Sequence, residues 1–263
     1  FDGFDVLTSL DEVRERTPWD QVWLCVSSTA LAGDWLGPMM EATGGATVVC
    51  LQPGLDVRER LESMVEPSRL VFGMIGFISW QAPLPGEDPM EQPGVMYWFP
   101  PLSPSPFSGH PSRLEPLLDF LKRGKCPAKK TKDAAGGAAG PTAYMMSILA
   151  ALELEGWKLD GLRRSDSVAL ASQAARQSLD VVQRRVGLSQ GLFRMATRPW
   201  VIRMILWLGP KVVPFDLETY LEYHFTKVGQ QTRELLQSYV DHGRQESLPT
   251  EAIQRLYRET WPA

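Results

Sequence analysis

The sequence predicts an α/β protein, with a Rossmann-like parallel-sheet domain followed by an all-α helical domain. In residues 1–134, short apolar runs rich in β-branched residues alternate with stretches of helical periodicity, the pattern of βαβ units. After Pro141, every strong pattern has helical spacing. We therefore predict two domains, 1–134 and 135–263, in a chain long enough for each to bury a core.

Three strands are predicted in the first domain, at 22–26, 46–52 and 69–81. Each is a continuous apolar run, as expected for strands covered on both faces of a parallel sheet. The other elements predicted in this domain are helices at 29–42, 56–65 and 113–124, short strands at 95–99 and near Cys126, and loops at 82–94, 100–112 and 129–141.

Five helical segments are predicted in the second domain. Residues 142–157 are apolar on nearly every side and predict a buried central helix. Residues 200–209 form the most hydrophobic run of the chain, but a membrane span needs about 20 residues. We therefore expect no membrane span and predict a buried or oligomer-forming helix there in preference to a membrane-surface helix, which is the alternative. An oligomer-forming helix would make a homodimer a candidate assembly. The remaining predicted helices are a stripe from Val168 to Val186, a long helix at 216–243, and a last helix at 250–260.

The composition argues against several classes of function. A net charge of −4 with a pI near 5.5 gives no basic footprint for nucleic acid. Three cysteines in unrelated contexts do not indicate a disulfide framework, and three histidines without ligand-like spacing do not indicate a metal site. No signal-peptide pattern is present at the first residues, so we expect a cytoplasmic protein.

Small and polar residues follow the first two predicted strands. Ser27, Ser28 and Thr29 come after the first strand, and the turn Gln52-Pro53-Gly54 follows the second. In open α/β sheets, ligands bind at the carboxyl ends of the strands. These residues are therefore candidate ligand contacts, although an ordinary turn and an ordinary helix cap would have the same composition.

The order of these segments resembles the ketopantoate reductase (2-dehydropantoate 2-reductase) family. The resemblance is carried by DQVWLCVSST (20–29), TVVCLQPGL (47–55) and RLVFGMIGF (69–77), and by EGWKL (155–159) near the start of the helical half. It implies that NADP (or NAD) binds the first domain, with Ser27, Ser28, Thr29, Gln52, Pro53 and Gly54 at its nicotinamide end. It also implies a small-molecule substrate in the cleft between the domains.

The sequence also departs from the family pattern. Residues 1–263 contain no G-x-G-x-x-G, so the resemblance implies that the first βαβ unit, which carries this turn, is missing from the front. The family's lysine near Ser27–Thr29 is absent, and Pro53 replaces its turn asparagine. Where the family has a catalytic lysine, the stretch GPTAYMMSI offers Thr142, Tyr144 and Ser147. Tyr144 is a candidate proton donor, with a core position as the alternative.

A second candidate site lies on the predicted helix 216–243. In the family this helix holds a substrate-binding glutamate, and the corresponding position here is Lys227. Independently, Tyr220, His224, Lys227 and Gln231 are spaced to line one helix face. Lys227 would bind a carboxylate or polarise a carbonyl, and His224 would donate a proton near neutral pH. The alternative is a solvated helix face.

The resemblance thus predicts a ketopantoate reductase-like, NAD(P)-dependent oxidoreductase of altered specificity. Hydride would pass to a carbonyl or imine of a small substrate, which the cation at Lys227 suggests is anionic. The alternatives are a non-catalytic relative that binds a dinucleotide or small acid, as a sensor or partner subunit, and a different chemistry on the same scaffold.

Overall fold

The computed structural model describes residues 3–262, which form two compact units. The sheet unit comprises the chain up to Phe77 together with Phe99–Ala135, and the helical unit comprises Ile78–Trp98 and the chain from Gly136 onward. The continuous domains 1–134 and 135–263 remain a prediction. The strands are β1 (Gln21–Leu24), β2 (Thr47–Cys50), β3 (Leu70–Gly73), β4 (Ile78–Ala82), β5 (Gly94–Trp98), β6 (Ser105–Gly109) and β7 (Ala128–Lys130).

Helices cover most of the helical unit and connect the strands of the sheet unit. They are α1 (Leu10–Glu15), α2 (Leu36–Ala42), α3 (Val57–Glu62), α4 (Pro111–Arg123), α5 (Ala134–Leu154), α6 (Leu159–Arg164), α7 (Ser167–Val186), α8 (Gly191–Ala196), α9 (Pro199–Val212), α10 (Leu217–Lys227), α11 (Gly229–Gln245) and α12 (Glu251–Thr260). None of the helices within residues 3–262 is both long and apolar enough to cross a bilayer.

The first three strands form the parallel core of the sheet unit. The five-stranded sheet has the order β1-β2-β3-β6-β7, and β1, β2 and β3 pair in parallel, with Val22 opposite Val48 and Val49 opposite Val71. All four residues of β2 are buried because apolar clusters cover both faces of the sheet. The predicted fold class, a parallel-sheet α/β domain followed by helices, is confirmed.

Two predictions for the far side of the sheet were wrong. The run 69–81 is two strands of different sheets, because the chain leaves the sheet after Gly73 and passes tightly against the start of β6. At Gly76 a Cβ atom would lie 2.7 Å from the Ser103 carbonyl oxygen. The predicted loop 100–112 contains β6, which is antiparallel to β3 and parallel to β7. The strand was not predicted because it contains Pro106, and proline is rare inside sheets.

The start of α5 was also predicted incorrectly. Residues 129–141 were expected to form a loop, but the helix begins at Ala134 and includes Pro141. The backbone N–H of Ala134 donates a 2.9 Å hydrogen bond to Oγ of Ser108 in β6. This contact satisfies one of the N–H groups that a helix leaves unpaired at its start, so a distant strand stabilises a glycine-rich helix terminus.

In the helical unit, α7 carries the predicted stripe and packs against α11 and α12. From Val168 to Val182 this stripe is buried, and Gly187 ends the helix in the left-handed conformation. The predicted helix 216–243 is two helices, because Val228 leaves the helical conformation and Gly229 follows it, both being residues of low helix propensity. The run 200–209 lies in α9, which is buried on one side and exposed on the other.

Candidate functional site

The side chain of Gln52 joins the carboxyl ends of β1 and β2. Its amide nitrogen donates to the carbonyl oxygens of Leu24 and Val26, the latter at 2.8 Å. Its amide oxygen accepts from the backbone N–H of Leu51 at 3.1 Å and from the thiol of Cys50 at 3.2 Å. Because both amide protons are engaged, Gln52 shapes the edge where the resemblance placed a cofactor and presents no free donor to a ligand.

The serine and threonine after β1 build a tight turn. Oγ of Ser27 lies 2.7 Å from Oγ1 of Thr29 and accepts a 3.3 Å hydrogen bond from the backbone N–H of Ala30, where a short 3₁₀ helix begins. Ser28 lies between them and is half-buried. The structure therefore brings Ser27–Thr29 and Gln52–Gly54 to one edge of the sheet, since β1 and β2 are adjacent and parallel.

Gly54 is required by the turn itself. Its φ of +146° is a conformation that side chains disfavour, and a Cβ atom there would lie 2.8 Å from Cγ2 of Val57. A bulky substitution at Gly54 would strain the turn whether or not a ligand binds. The neighbouring Pro53 is half-buried and offers a carbonyl oxygen but no N–H.

The same edge carries an exposed thiol. Cys25 directly follows β1 and is exposed, as are the side chains of Val26 beside it and Ile75 after β3. Burial raises the pKa of Cys50 to about 11 and also raises the pKa of Cys126. Cys25 is the most accessible of the three thiols, since Cys50 is buried and Cys126 half-buried, and it lies next to the exposed Val26 at the carboxyl end of β1.

A separate cavity lies within the helical unit, between the β4–β5 hairpin and α10. Aromatic side chains hold the hairpin on the helix: the ring centroids of Trp80 and Phe215 are 4.5 Å apart, and those of Phe215 and Tyr220 are 5.2 Å apart. The cavity has a volume of about 190 Å³ and is lined by Ser79, Trp80, Gln81, Val95, Tyr223, His224 and Lys227.

Lys227 lines this cavity as an ammonium without an acidic partner. Its Nζ atom lies 3.4 Å from the hydroxyl of Tyr223 and 4.7 Å from the centroid of the Tyr223 ring. The Tyr223 hydroxyl in turn donates to Oε1 of Gln81 at 3.3 Å. No carboxylate pairs with Lys227 in the part of the chain that the structure describes. The cavity therefore offers a positive charge to a bound anion.

His224 lies beside Lys227 with a lowered pKa. Burial is the larger cause, and the charge of Lys227 adds to it. The imidazole stacks on Tyr220, with ring centroids 5.4 Å apart. A histidine with a pKa below its usual 6.5 is neutral at pH 7, so it is ready to accept a proton rather than to donate one.

Two other residues from the sequence analysis lie elsewhere. Gln231 belongs to α11 because the helix breaks at Val228, so the predicted four-residue face does not continue past Lys227. Tyr144 is half-buried on α5 and does not line the cavity, and burial raises its pKa to about 12. The spacing in α10 located Lys227 and His224, but Gln81 could not be found because β4 was predicted to belong to the other sheet.

Within residues 3–262, no group of three histidine, cysteine, aspartate or glutamate side chains is arranged to hold a metal ion. The two candidate sites therefore depend on hydrogen bonds, one ammonium and apolar surface. Each belongs to one unit: the strand-end site to the sheet unit and the Lys227 cavity to the helical unit.

No protein-family model and no curated protein matches the sequence. Solved structures do match the fold. A ketopantoate reductase from Ralstonia eutropha is 15% identical with a TM-score of 0.64, covering 94% of this chain and 76% of that one. D-mandelate dehydrogenase with NADH and anilino(oxo)acetate is 11% identical with a TM-score of 0.59, covering 95% and 77%. A dimeric ketopantoate reductase from Staphylococcus aureus is 12% identical with a TM-score of 0.62, covering 94% and 78%. The resemblance seen in the sequence is confirmed at the level of the fold.

Replacing Gln52 tests its structural role. Gln52→Leu removes two donors and leaves the carbonyl oxygens of Leu24 and Val26 and the N–H of Leu51 without this partner. Because the carbonyl of Leu24 and the N–H of Leu51 are partly buried, whereas the Val26 carbonyl is exposed, we expect the free energy of unfolding to fall by about 1–3 kcal/mol in urea titrations. Gln245→Leu, at an exposed glutamine, is the control and should stay within about 0.5 kcal/mol of the original protein. Equal stability of the two variants would contradict this role.

Proposed function

We propose that this chain, which shares its fold with the 2-dehydropantoate 2-reductases and D-mandelate dehydrogenase, is an NAD(P)-dependent oxidoreductase that interconverts a 2-oxo acid and a 2-hydroxy acid. The observation that carries the substrate class is the unpaired ammonium of Lys227 in the cavity beside His224. Dehydropantoate, mandelate and anilino(oxo)acetate, named for the matching structures, all carry a carboxylate next to an oxidised or oxidisable carbon. A single lysine in a small cavity suits that carboxylate.

The proposed cofactor would bind at the strand-end site. Bound NADP(H) or NAD(H) would supply or accept the hydride. Its nicotinamide end would lie over the turn Ser27–Thr29 and the backbone of Pro53 and Gly54, with Gln52 holding the two strand ends together. The small side chains allow close approach to the backbone, and the exposed Val26 and Ile75 offer apolar contacts to a ring. These residues account for the nicotinamide end alone, since residues 1–263 contain no G-x-G-x-x-G for the pyrophosphate.

His224 is the proposed proton carrier of the helical unit. Reduction of a 2-oxo acid adds a hydride to C2 and a proton to the oxygen, and oxidation of a 2-hydroxy acid removes both. Because the pKa of His224 is lowered, its neutral imidazole accepts the hydroxyl proton at pH 7, which favours oxidation. A carboxylate bound at Lys227 offsets the nearby positive charge and so raises the pKa of His224, which favours reduction.

A second candidate is a protein that binds small acids without turnover. It is favoured by the absence of lysine from the stretches 27–29 and 140–148, where the resemblance expects one in each, and by the high pKa of Tyr144. Anion binding at Lys227 is common to both candidates. Only turnover with a nicotinamide cofactor distinguishes them.

We expect the full chain to be stabilised by NADPH or NADH and to oxidise or reduce at least one member of a panel of 2-oxo and 2-hydroxy acids. A cofactor at 100 times its Kd adds about 2.7 kcal/mol to the free energy of unfolding, which thermal-shift measurements detect. Lys227→Met should lower kcat/KM by tenfold or more, because it removes the contact with the substrate carboxylate. Hydrogen bonds to charged groups are each worth about 1.5–3 kcal/mol, which corresponds to a loss of this size.

Lys211→Met is the matched control for Lys227→Met. Lys211 also lies over an aromatic ring four residues earlier in its helix, that of Trp207, but outside the cavity. Both variants should change the free energy of unfolding by less than about 1 kcal/mol. Turnover lost equally in both, or unchanged in Lys227→Met, would refute the assignment of Lys227. Anion binding without any turnover would support the second candidate.

The lowered pKa of His224 predicts how acid binding depends on pH. As the pH falls from about 8 through 6.5 and then through the lowered pKa, His224 gains a proton and adds a second positive charge to the cavity. Binding of a small carboxylate such as pyruvate, followed by isothermal titration calorimetry, should therefore tighten over this interval. His224→Gln should remove this dependence. A pH dependence that persists in His224→Gln would show that another group is responsible.

A further inference from the structure

Helix α9 has apolar side chains on its outward face as well as on its inward face. Ile202 and Leu206 are buried and face the helical unit. On the opposite side, Lys211 is the one charged residue in an arc of about 160° at 3.6 residues per turn. The other side chains of this arc are apolar. Val201 is half-buried, and the remaining six are large and exposed, namely Trp200, Met204, Ile205, Trp207, Leu208 and Val212.

The preceding helix α8, which contacts α9, also has exposed apolar side chains. Leu192 and Met195 of α8 are 77% and 58% exposed. Together with the six apolar residues of α9 they form what we call the α8–α9 surface. Trp200 and Trp207 are 60% and 54% exposed and lie two helical turns apart on one side of α9. An exposed apolar patch of this kind marks an interaction site more often than a bare surface.

The charge of this region is opposite to that of the rest of the chain. Residues 181–215 contain six lysine and arginine residues and no aspartate or glutamate, which leaves 21 basic and 31 acidic residues elsewhere. Some of the six have partners: Arg184 pairs with Glu246 and Arg194 with Asp180. Arg198 and Lys211, at the two ends of α9, pair with no carboxylate within residues 3–262.

We propose that the α8–α9 surface docks on an anionic lipid bilayer, with α9 lying in the plane of the interface. A helix with tryptophans and aliphatic residues on one face and flanking cations is suited to the boundary between head groups and acyl chains. The ammonium of Lys211 lies 3.4 Å from the centroid of the Trp207 ring. The cation and the aromatic ring would therefore reach the same depth in the bilayer interface. Anionic head groups supply the negative charge that residues 181–215 lack.

A second copy of this chain fits the surface less well. In a two-fold dimer the same patch lies on both sides, so Arg198 and Lys211 would approach the cations of the other copy. Residues 181–215 contain no acidic residue. The carboxylates that lie beside Trp207 are already engaged: Asp160 with Arg163, Glu218 with Lys158, and Asp216 with the backbone N–H of Thr219. They therefore do not compensate for that repulsion. A bilayer with anionic lipids satisfies both the apolar and the basic character of the surface, and it requires no activity at the sites described above.

The test is co-sedimentation of the full chain with vesicles of phosphatidylcholine alone and with vesicles that also contain phosphatidylglycerol. We expect binding to the anionic vesicles, weakened by salt. Arg198→Gln and Lys211→Gln should each lower the partition coefficient about fivefold, the equivalent of about 1 kcal/mol per cation. The double variant Trp200→Ser and Trp207→Ser should lower it about tenfold or more. Phe120→Ser, at an exposed aromatic residue of α4, and Lys122→Gln are the controls and should bind unchanged.

Three results would overturn the proposal. The first is no binding to either vesicle, and the second is equal binding to both. The third is a dimer in sedimentation velocity that the double tryptophan variant dissociates, without vesicle binding, because the surface would then be covered by a second copy. Both tryptophans are largely exposed, so unchanged circular dichroism will show that the variants are folded.

Discussion

The shape of the strand-end site depends on the side chain of Gln52. Parallel strands diverge into separate loops at their carboxyl ends, and here one amide joins two of those loops to each other. It accepts from the end of β2 and donates to the carbonyl groups at and after the end of β1. The hydrogen-bonding groups of the Gln52 amide are already engaged within the protein. A ligand at this edge would therefore contact backbone, small hydroxyl side chains and apolar surface. Such an edge suits the flat, partly apolar end of a dinucleotide better than a strongly charged group.

Much of the fold could be predicted because its periodic signals are local. Strands β2 and β3 are fully buried, and β1 at the edge of the sheet is half-buried except for its buried Leu24. All three appear in the sequence as continuous apolar runs, and the stripe of α7 has regular helical spacing. The elements that sequence analysis missed depend on distant partners. Strand β6 contains a proline and is held by β3 and β7, and the glycine-rich start of α5 is completed by Ser108.

The Lys227 cavity could be predicted only in part, for the same reason. Lys227 and His224 share a helix, so their spacing in the sequence brings them together. The other wall is the β4–β5 hairpin, which lies far from α10 in the sequence. Trp80 of the hairpin packs against Phe215, and Phe215 packs against Tyr220 of α10. The contact between Gln81 and Tyr223 does not follow from local patterns, because it requires that wall. The burial that is the larger cause of the lowered pKa of His224 depends on tertiary packing too, whereas the contribution of Lys227 comes from the same helix.

The central claim, that a nicotinamide dinucleotide binds at the strand-end site, is tested most directly by the reactivity of Cys25. At about pH 8, a maleimide should label this exposed thiol first, while Cys126 reacts more slowly and the buried Cys50 remains unlabelled. Peptide mass spectrometry then follows each thiol with and without NADPH or NADH. We predict that saturating cofactor slows the labelling of Cys25 about tenfold or more, because more than about nine-tenths of the sites are then occupied and protected. The labelling rate of Cys126 should not change. An unchanged Cys25 rate at cofactor concentrations that stabilise the protein, or no stabilisation by either cofactor, would contradict the claim.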